Sequence, residues 1–174
     1  MNKILSLLLC AAMFSCDTAK SARQSATRPL AVQSGCPEDG VCTIAKYQNK
    51  SIVVTEGERG SLSYQLQDAP STDVYVLTYT RNVPEGVQDG TYREEIIFES
   101  VHTNTATVME GAALQNAKLL FGRFCYCKGQ TGYYRIDKGT LRVSGSTKQR
   151  QFSLDFRISE TPQILSAIRF SDQS

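Results

Sequence analysis

The chain contains no tryptophan and one histidine, His102, in 174 residues. Without tryptophan, 8 tyrosines and 7 phenylalanines must carry the aromatic packing. With one imidazole, the side chain best suited to acid–base work near neutral pH is almost missing. His102 stands beside a predicted turn at Thr103-Asn104 and reads as a solvated loop residue rather than a base. There is no HExxH helix, GxSxG elbow or phosphate-binding glycine loop. Glu94, Glu95 and Glu99 are the carboxylates available for glycoside hydrolysis. On a strand, Glu94 and Glu95 point to opposite faces and form no pair. An enzyme is disfavoured. So is nucleic-acid binding, because no recognition motif is present and the folded part is close to neutral.

Only one long apolar run exists, Ile4 to Phe14. It is about half the length a bilayer-spanning helix needs, follows Lys3 and ends at Ser15-Cys16. Residues 1–15 therefore read as a cleaved export signal. Met13-Phe14-Ser15-Cys16 resembles a lipobox with Met where Leu is usual, whereas Cys10 follows Leu9 and comes too early in the run. The expectation is a lipoprotein acylated at Cys16 with palmitate-type chains and held on a membrane by them. An ordinary secretory signal cut nearby is the alternative. Residues 16–34 then read as the lipidated cysteine and a flexible tether. Asp17 to Ser34 is small and polar, shows no helical or strand period, and spans roughly 20–25 Å as a coil.

Residues 35–174 read as one β-rich domain. Hydrophobic residues at 41% and charged residues at 21% suit a globular domain and exclude a disordered one. From Phe152 to Ser159 apolar and polar side chains alternate without a break, the period of a half-buried strand. Residues 51–55, 62–67, 73–80, 92–99 and 105–109 are rich in β-branched and aromatic side chains. Turn-forming clusters lie at 68–71, 83–86, 88–90 and 143–147, and a short helix is expected at 111–119. This spacing predicts an all-β fold, an antiparallel β-sandwich or open barrel with a cysteine-stapled N-terminal turn.

Charge is uneven along the chain. Residues 35–117 carry 5 basic and 12 acidic side chains, a net of −7, while residues 118–174 carry 10 and 4, a net of +6. The basic residues are dispersed singly. Oppositely charged strands that pair across a sheet are therefore expected, rather than one basic face for a polyanion.

Apart from Cys10 and Cys16, four cysteines remain: Cys36, Cys42, Cys125 and Cys127. An even number in an exported chain points to disulfides. Pro37 and Gly40 make the Cys36–Cys42 segment a tight turn. Cys125-Tyr126-Cys127 falls in residues 119–128, which read as one strand; its two Cα atoms would stand nearly 7 Å apart, the edge of disulfide geometry. Two bridges from the turn onto this strand are geometrically easier, each stabilising by roughly 4 kcal/mol through a long closed loop. A single Cys36–Cys42 bridge with two free thiols competes, and the residues alone do not choose among three connectivities. As a metal set, four thiolates suit Zn(II), and the C-x-C pair suits Cu(I) or a redox dithiol with Arg123 on its face to lower a thiol pKa. The C-x5-C spacing is unlike a zinc knuckle, so disulfides without a cofactor lead.

A four-residue turn at 129–132 would set Cys127 opposite Tyr134 and Cys125 opposite Ile136. Tyr126, Tyr133 and Arg135 would then share the other face with Phe124, as an aromatic platform for a sugar or peptide. The reading that leads is an inter-sheet core with tyrosines at its rim, and the platform is the alternative to it.

CPEDGVC with NKSIVV after it, LLFGRFCYCKGQTGYY, and RISETPQI near the end resemble uncharacterised short lipoproteins of flavobacteria and related Bacteroidetes. The resemblance covers most of residues 35–168. It implies an exported outer-membrane lipoprotein, facing the periplasm or the cell surface, and no activity. Asp17-Thr18-Ala19 also matches the three-residue O-glycosylation pattern of such exported proteins, with Thr18 as acceptor. The Asn49-Lys50-Ser51 sequon would be idle there. The expected function is a lipid-anchored binding or structural module of the cell envelope, with an envelope protein or glycan as partner. Thiol-based metal or redox handling through Cys125 and Cys127 is the alternative.

Overall fold

The computed structural model describes residues 27–173. The export signal, Cys16 and Thr18 lie outside the described residues. Within them, thirteen strands form two antiparallel sheets. In spatial order the larger sheet contains β1 (Thr27–Leu30), β3 (Gly40–Tyr47), β6 (Thr72–Arg81), β7 (Tyr92–Val101), β9 (Leu120–Cys125), β10 (Gly132–Arg135), β5 (Leu62–Asp68) and β4 (Lys50–Glu56). The smaller contains β2 (Val32–Ser34), β13 (Ala167–Gln173), β12 (Gln149–Phe156), β11 (Gly139–Ser146) and β8 (Thr107–Glu110). The all-β sandwich expected from the strand periods is the fold found.

Alternation decides what each strand buries. On β12, Phe152, Leu154 and Phe156 are buried and Gln151 and Arg157 exposed, and the pattern continues past the strand to buried Ile158. These side chains meet the larger sheet in an aromatic cluster. Phe152 stacks on Phe170 at 4.6 Å, Tyr75 on Phe98 at 5.3 Å, and Tyr75 reaches Phe152 at 4.7 Å. The central strands of the larger sheet are covered on both faces, so Asp73 to Leu77 are buried without interruption. Their outer cover is the β4–β5 hairpin, which curls back so that Ile52 packs with Val74, Val76, Ile97 and Leu120. Glu99 pins it there: Oε2 accepts from Ser51 Oγ and Ile52 N, both at 2.8 Å, and pairs with Lys118 Nζ at 3.0 Å. The hairpin leaves the other end of the outer face open.

Part of the expected tether is sheet. Thr27–Leu30 pairs with β3 in one sheet and Val32–Ser34 with β13 in the other, so only Ala31 separates the two. Strands of three and four residues are too short to show a period. Gly35 completes this step at φ +96°, where a Cβ would stand 2.2 Å from the Ala167 carbonyl oxygen. β3, β11 and β13 were also not expected as strands. The turn expected at 143–147 is a reversal at Thr147-Lys148, and the expected helix is a 3₁₀ turn over Gly111–Ala117 that buries Leu114 and Ala117.

Buried charge closes the sandwich at both ends. At one, Lys46 Nζ lies 2.7 Å from Asp172 and 3.3 Å from Asp73, and the Tyr75 hydroxyl donates to Asp172 at 2.8 Å. Buried Arg150 donates there to Ser100 Oγ and to the Val101 carbonyl. His102 is an exposed loop residue, as expected, and its Nε2 lies 2.9 Å from Asp73 Oδ1. At the other end Glu94, fully buried, accepts from the Ile164 and Leu165 N–H groups at 2.7 Å each and from the Tyr92 hydroxyl. Arg123 Nε donates to the same hydroxyl at 3.2 Å. Burial and the bond to Glu94 push the Tyr92 phenol up to about 12. The unequal charge of the two chain halves is partly neutralised between neighbours, as in Lys118–Glu99, Arg135–Glu56 and Arg142–Glu110.

Removing the Glu94 carboxylate orphans two buried N–H groups and a hydroxyl. Glu94→Ala is therefore expected to lower unfolding free energy by about 4 kcal/mol, similar to the cavity left by Phe152→Ala, in urea denaturation. Burial raises the Asp73 carboxyl, but bonds from His102 and the Asn49 N–H and the charge of Lys46 together hold it below the ordinary aspartate value. A depressed carboxyl stabilises the fold above its unfolded pKa, and that contribution is lost as pH falls through the folded one. Asp73→Asn should lower stability near neutral pH and flatten its fall below about pH 4, read from urea midpoints across an acid series.

Candidate functional site

The open end of the larger sheet's outer face carries the candidate site. Thr80 on β6, Arg93 on β7 and Phe124 on β9 are side by side in register there. Loops on either side supply Asp89 and Thr91, and Tyr126 and Thr131, so that these residues enclose an open cavity of about 570 Å³. That is within the range of small-molecule sites. A second hollow of about 560 Å³ lies at Cys125, Tyr126, Cys127 and Lys128. Tyr126 lines both and is 84% exposed.

The floor is held from below. The Arg93 guanidinium sits 4.5 Å over the Phe124 ring, and its Nε lies 3.3 Å from Glu95 Oε1. Glu95 Oε2 accepts from the Tyr133 hydroxyl at 2.8 Å. Tyr133 packs edge-on to Phe124 at 5.3 Å and to Tyr64 at 5.4 Å. Gly122 makes this contact possible, since a Cβ there would lie 2.7 Å from the Tyr133 ring. Burial, with the carboxylate of Glu95 nearby, pushes the Tyr64 phenol up to about 12 and raises Tyr133 as well. Arg93 thus presents a half-exposed cation over the Phe124 ring.

Both disulfides are local, Cys36–Cys42 with Cα atoms 5.8 Å apart and Cys125–Cys127 with 5.2 Å. The long-range bridges favoured on spacing do not form. Cys42 pairs with Tyr79 on β6 and Cys125 with Tyr92 on β7, so β3 and β9 stand three strand spacings apart, roughly 14 Å. The strand expected to reach residue 128 ends at Cys125, and a bend at Tyr126 draws the two Cα atoms together. These short loops contribute about 2 kcal/mol each rather than 4 in the chain-entropy form. Sulfurs bonded to one another offer no thiolate to Zn(II) or Cu(I). Among the described residues no three His, Cys, Asp or Glu side chains converge on a metal position.

The early end of β9 also shifts the hairpin. Gly132 pairs with Arg123, Tyr133 with Gly122 and Tyr134 with Phe121, instead of Cys127 with Tyr134 and Cys125 with Ile136. The loop is closed by Gln130 N to the Cys127 carbonyl and Thr131 Oγ1 to the Cys125 carbonyl. As a result Tyr126, Tyr133 and Arg135 do not make one platform. Tyr133 supports the floor, Arg135 lies beside Glu56 at 3.8 Å, and Tyr126 stands on the loop beyond the ladder. Phe124 and Arg93 take their place beside Tyr126. Arg93 was visible in the sequence only as one more charge, because its position opposite Phe124 depends on which strands pair. Glu94 faces the core and Glu95 the outer surface, while Glu99 holds the β4–β5 hairpin, so no two of them form a catalytic pair.

No protein-family model, curated protein or solved structure matches this chain.

If Tyr126 serves a ligand and not the fold, Tyr126→Ala should change unfolding free energy by no more than about 0.5 kcal/mol. A loss above about 1.5 kcal/mol in urea denaturation would make it a packing residue instead.

Proposed function

We propose that this protein is an extracytoplasmic, lipid-anchored β-sandwich that binds a glycan of the cell envelope in the groove between Arg93, Phe124 and Tyr126. The observation that carries this reading is an almost fully exposed tyrosine held beside a stacked Arg–Phe pair. At 84% exposure the Tyr126 ring is open to a ligand. The lining suits a polyhydroxylated ligand. Phe124 and Tyr126 offer flat apolar faces to sugar C–H groups, Asp89 accepts hydroxyls, Arg93 donates, and Thr80, Thr91 and Thr131 do either.

The position of the groove fits an anchored module. The described chain enters the larger sheet with Thr27 opposite Lys46, whereas the groove row continues from Val41 through Thr80. Five residues of strand separate them, about 17 Å. A chain anchored at Cys16 would thus present the groove at the sheet end away from where it enters.

Two measurements test the proposal. Titration of the full chain in detergent against purified envelope oligosaccharides, followed by amide chemical shifts, should show saturable binding that Tyr126→Ala and Arg93→Ala each weaken by about tenfold or more, the loss of roughly 1.4 kcal/mol. Absence of binding at millimolar sugar, or binding untouched by both variants, would overturn the glycan reading. Cys16→Ser should release the protein from membranes in fractionation; retention would remove the anchor.

A further inference from the structure

We propose that Cys125–Cys127 is an exchange-competent disulfide that oxidises a dithiol partner, an activity independent of what the groove holds. The bond closes a ring around one residue, Tyr126, at a point where the sheet has already ended. The last ladder pair on one side is Tyr92 with Cys125 and on the other Arg123 with Gly132, so Cys127 belongs to no ladder. Opening the bond breaks no strand pairing.

The two sulfurs are placed differently. Both line the second hollow with Tyr126 and exposed Lys128, but Cys125 also packs against the inter-sheet core. Cys127 is the sulfur next to Lys128 in the chain, and the Lys128 ammonium favours the negative charge of an incoming thiolate. In the exchange, the partner thiolate attacks Cys127 Sγ, forming a mixed disulfide. The Cys125–Cys127 bond breaks, and Cys125 leaves as thiolate and takes up a proton. The partner's second thiolate then attacks its own sulfur in the mixed disulfide, closing the partner's disulfide and releasing the Cys127 thiolate. Two electrons pass from the partner dithiol to the cysteine pair.

Cys36–Cys42 shows the contrast. Its loop is tied to the sheet by Asp39, whose carboxylate accepts from the Tyr79 hydroxyl at 2.6 Å and Arg81 Nε at 3.1 Å and whose carbonyl accepts from Asn82 N at 2.8 Å. Those contacts hold the two sulfurs adjacent and favour the bonded form. The Cys125–Cys127 loop is held by two bonds among its own residues and one from Arg123 to Gln130. A disulfide that borders an open hollow and has little fold behind it is the more readily reduced.

The test uses the mature lipid-anchored protein in detergent, equilibrated in graded glutathione buffers, quenched by alkylation and mapped by peptide mass. Cys125–Cys127 should be reduced with an equilibrium constant at least 100-fold larger than Cys36–Cys42, about 60 mV at 30 mV per tenfold. Reduction of both pairs together, or of Cys36–Cys42 first, would overturn the proposal. In a second arm, the oxidised protein mixed with dihydrolipoamide should yield one equivalent of lipoamide. Cys36→Ala/Cys42→Ala should retain that yield and Cys125→Ala/Cys127→Ala lose it, and the reverse pattern would overturn the assignment.

Discussion

The burial of one carboxylate orders the rest of this molecule. Glu94 is completely enclosed, and its two oxygens are satisfied by consecutive backbone N–H groups at Ile164 and Leu165 and by the Tyr92 hydroxyl. A charge so placed is tolerated only when its hydrogen bonds are complete, so the chain around Ile164 must lie against β7. That contact carries the loop from β12 to β13 across the end of the sandwich. It also sets the parity of β7. With Glu94 inward, Arg93 and Glu95 must face out, because neighbouring side chains on a strand point to opposite faces. The ladder passes the same choice to β9, where Arg123 turns in beside Tyr92 and Gly122 and Phe124 turn out. The groove floor is the outer face of that arrangement.

The opposite end solves the same problem with more partners. Lys46, Asp73 and Asp172 bring together strands β3, β6 and β13 from both sheets, and each charge has a counter-charge within hydrogen-bond reach. Buried pairs of this kind cost more to break than they contribute on formation, so they specify which strands meet more than they add to stability. Between the two ends the core is apolar and aromatic. The curled β4–β5 hairpin then decides which part of the outer face is interior. Where it covers, the residues are Val74, Val76, Ile97 and Leu120; where it stops, they are Thr80, Arg93 and Phe124.

The disulfides divide along the same boundary. Cys36–Cys42 closes a turn that Asp39 already ties to the sheet, and so reinforces structure present without it. Cys125–Cys127 ends a strand and shapes a loop. It draws the chain out of the ladder at Tyr126, which is why that ring projects beside the groove instead of packing in register. A single bond thus serves as groove wall and as the sulfur pair that borders the second hollow.

The fold class was legible because strand period is a local property. Phe152 to Ile158 alternates in the sequence as it does in the core, and the runs at 73–80 and 92–99 lie within β6 and β7. The even cysteine count and the tight turn at Pro37 and Gly40 likewise announced disulfides and one staple. What tertiary structure alone decided is pairing. β1 and β2 are too short to show a period and exist because β3 and β13 offer them edges. The sulfurs paired locally because two intervening strands hold Cys42 and Cys125 apart, and the hairpin register moved because the chain left the sheet at Cys125. Arg93 and Phe124 became neighbours for the same reason. Side-chain chemistry and local period are written along the chain, but a site built across three strands depends on ladder order, and that order is set by how buried charges find their partners.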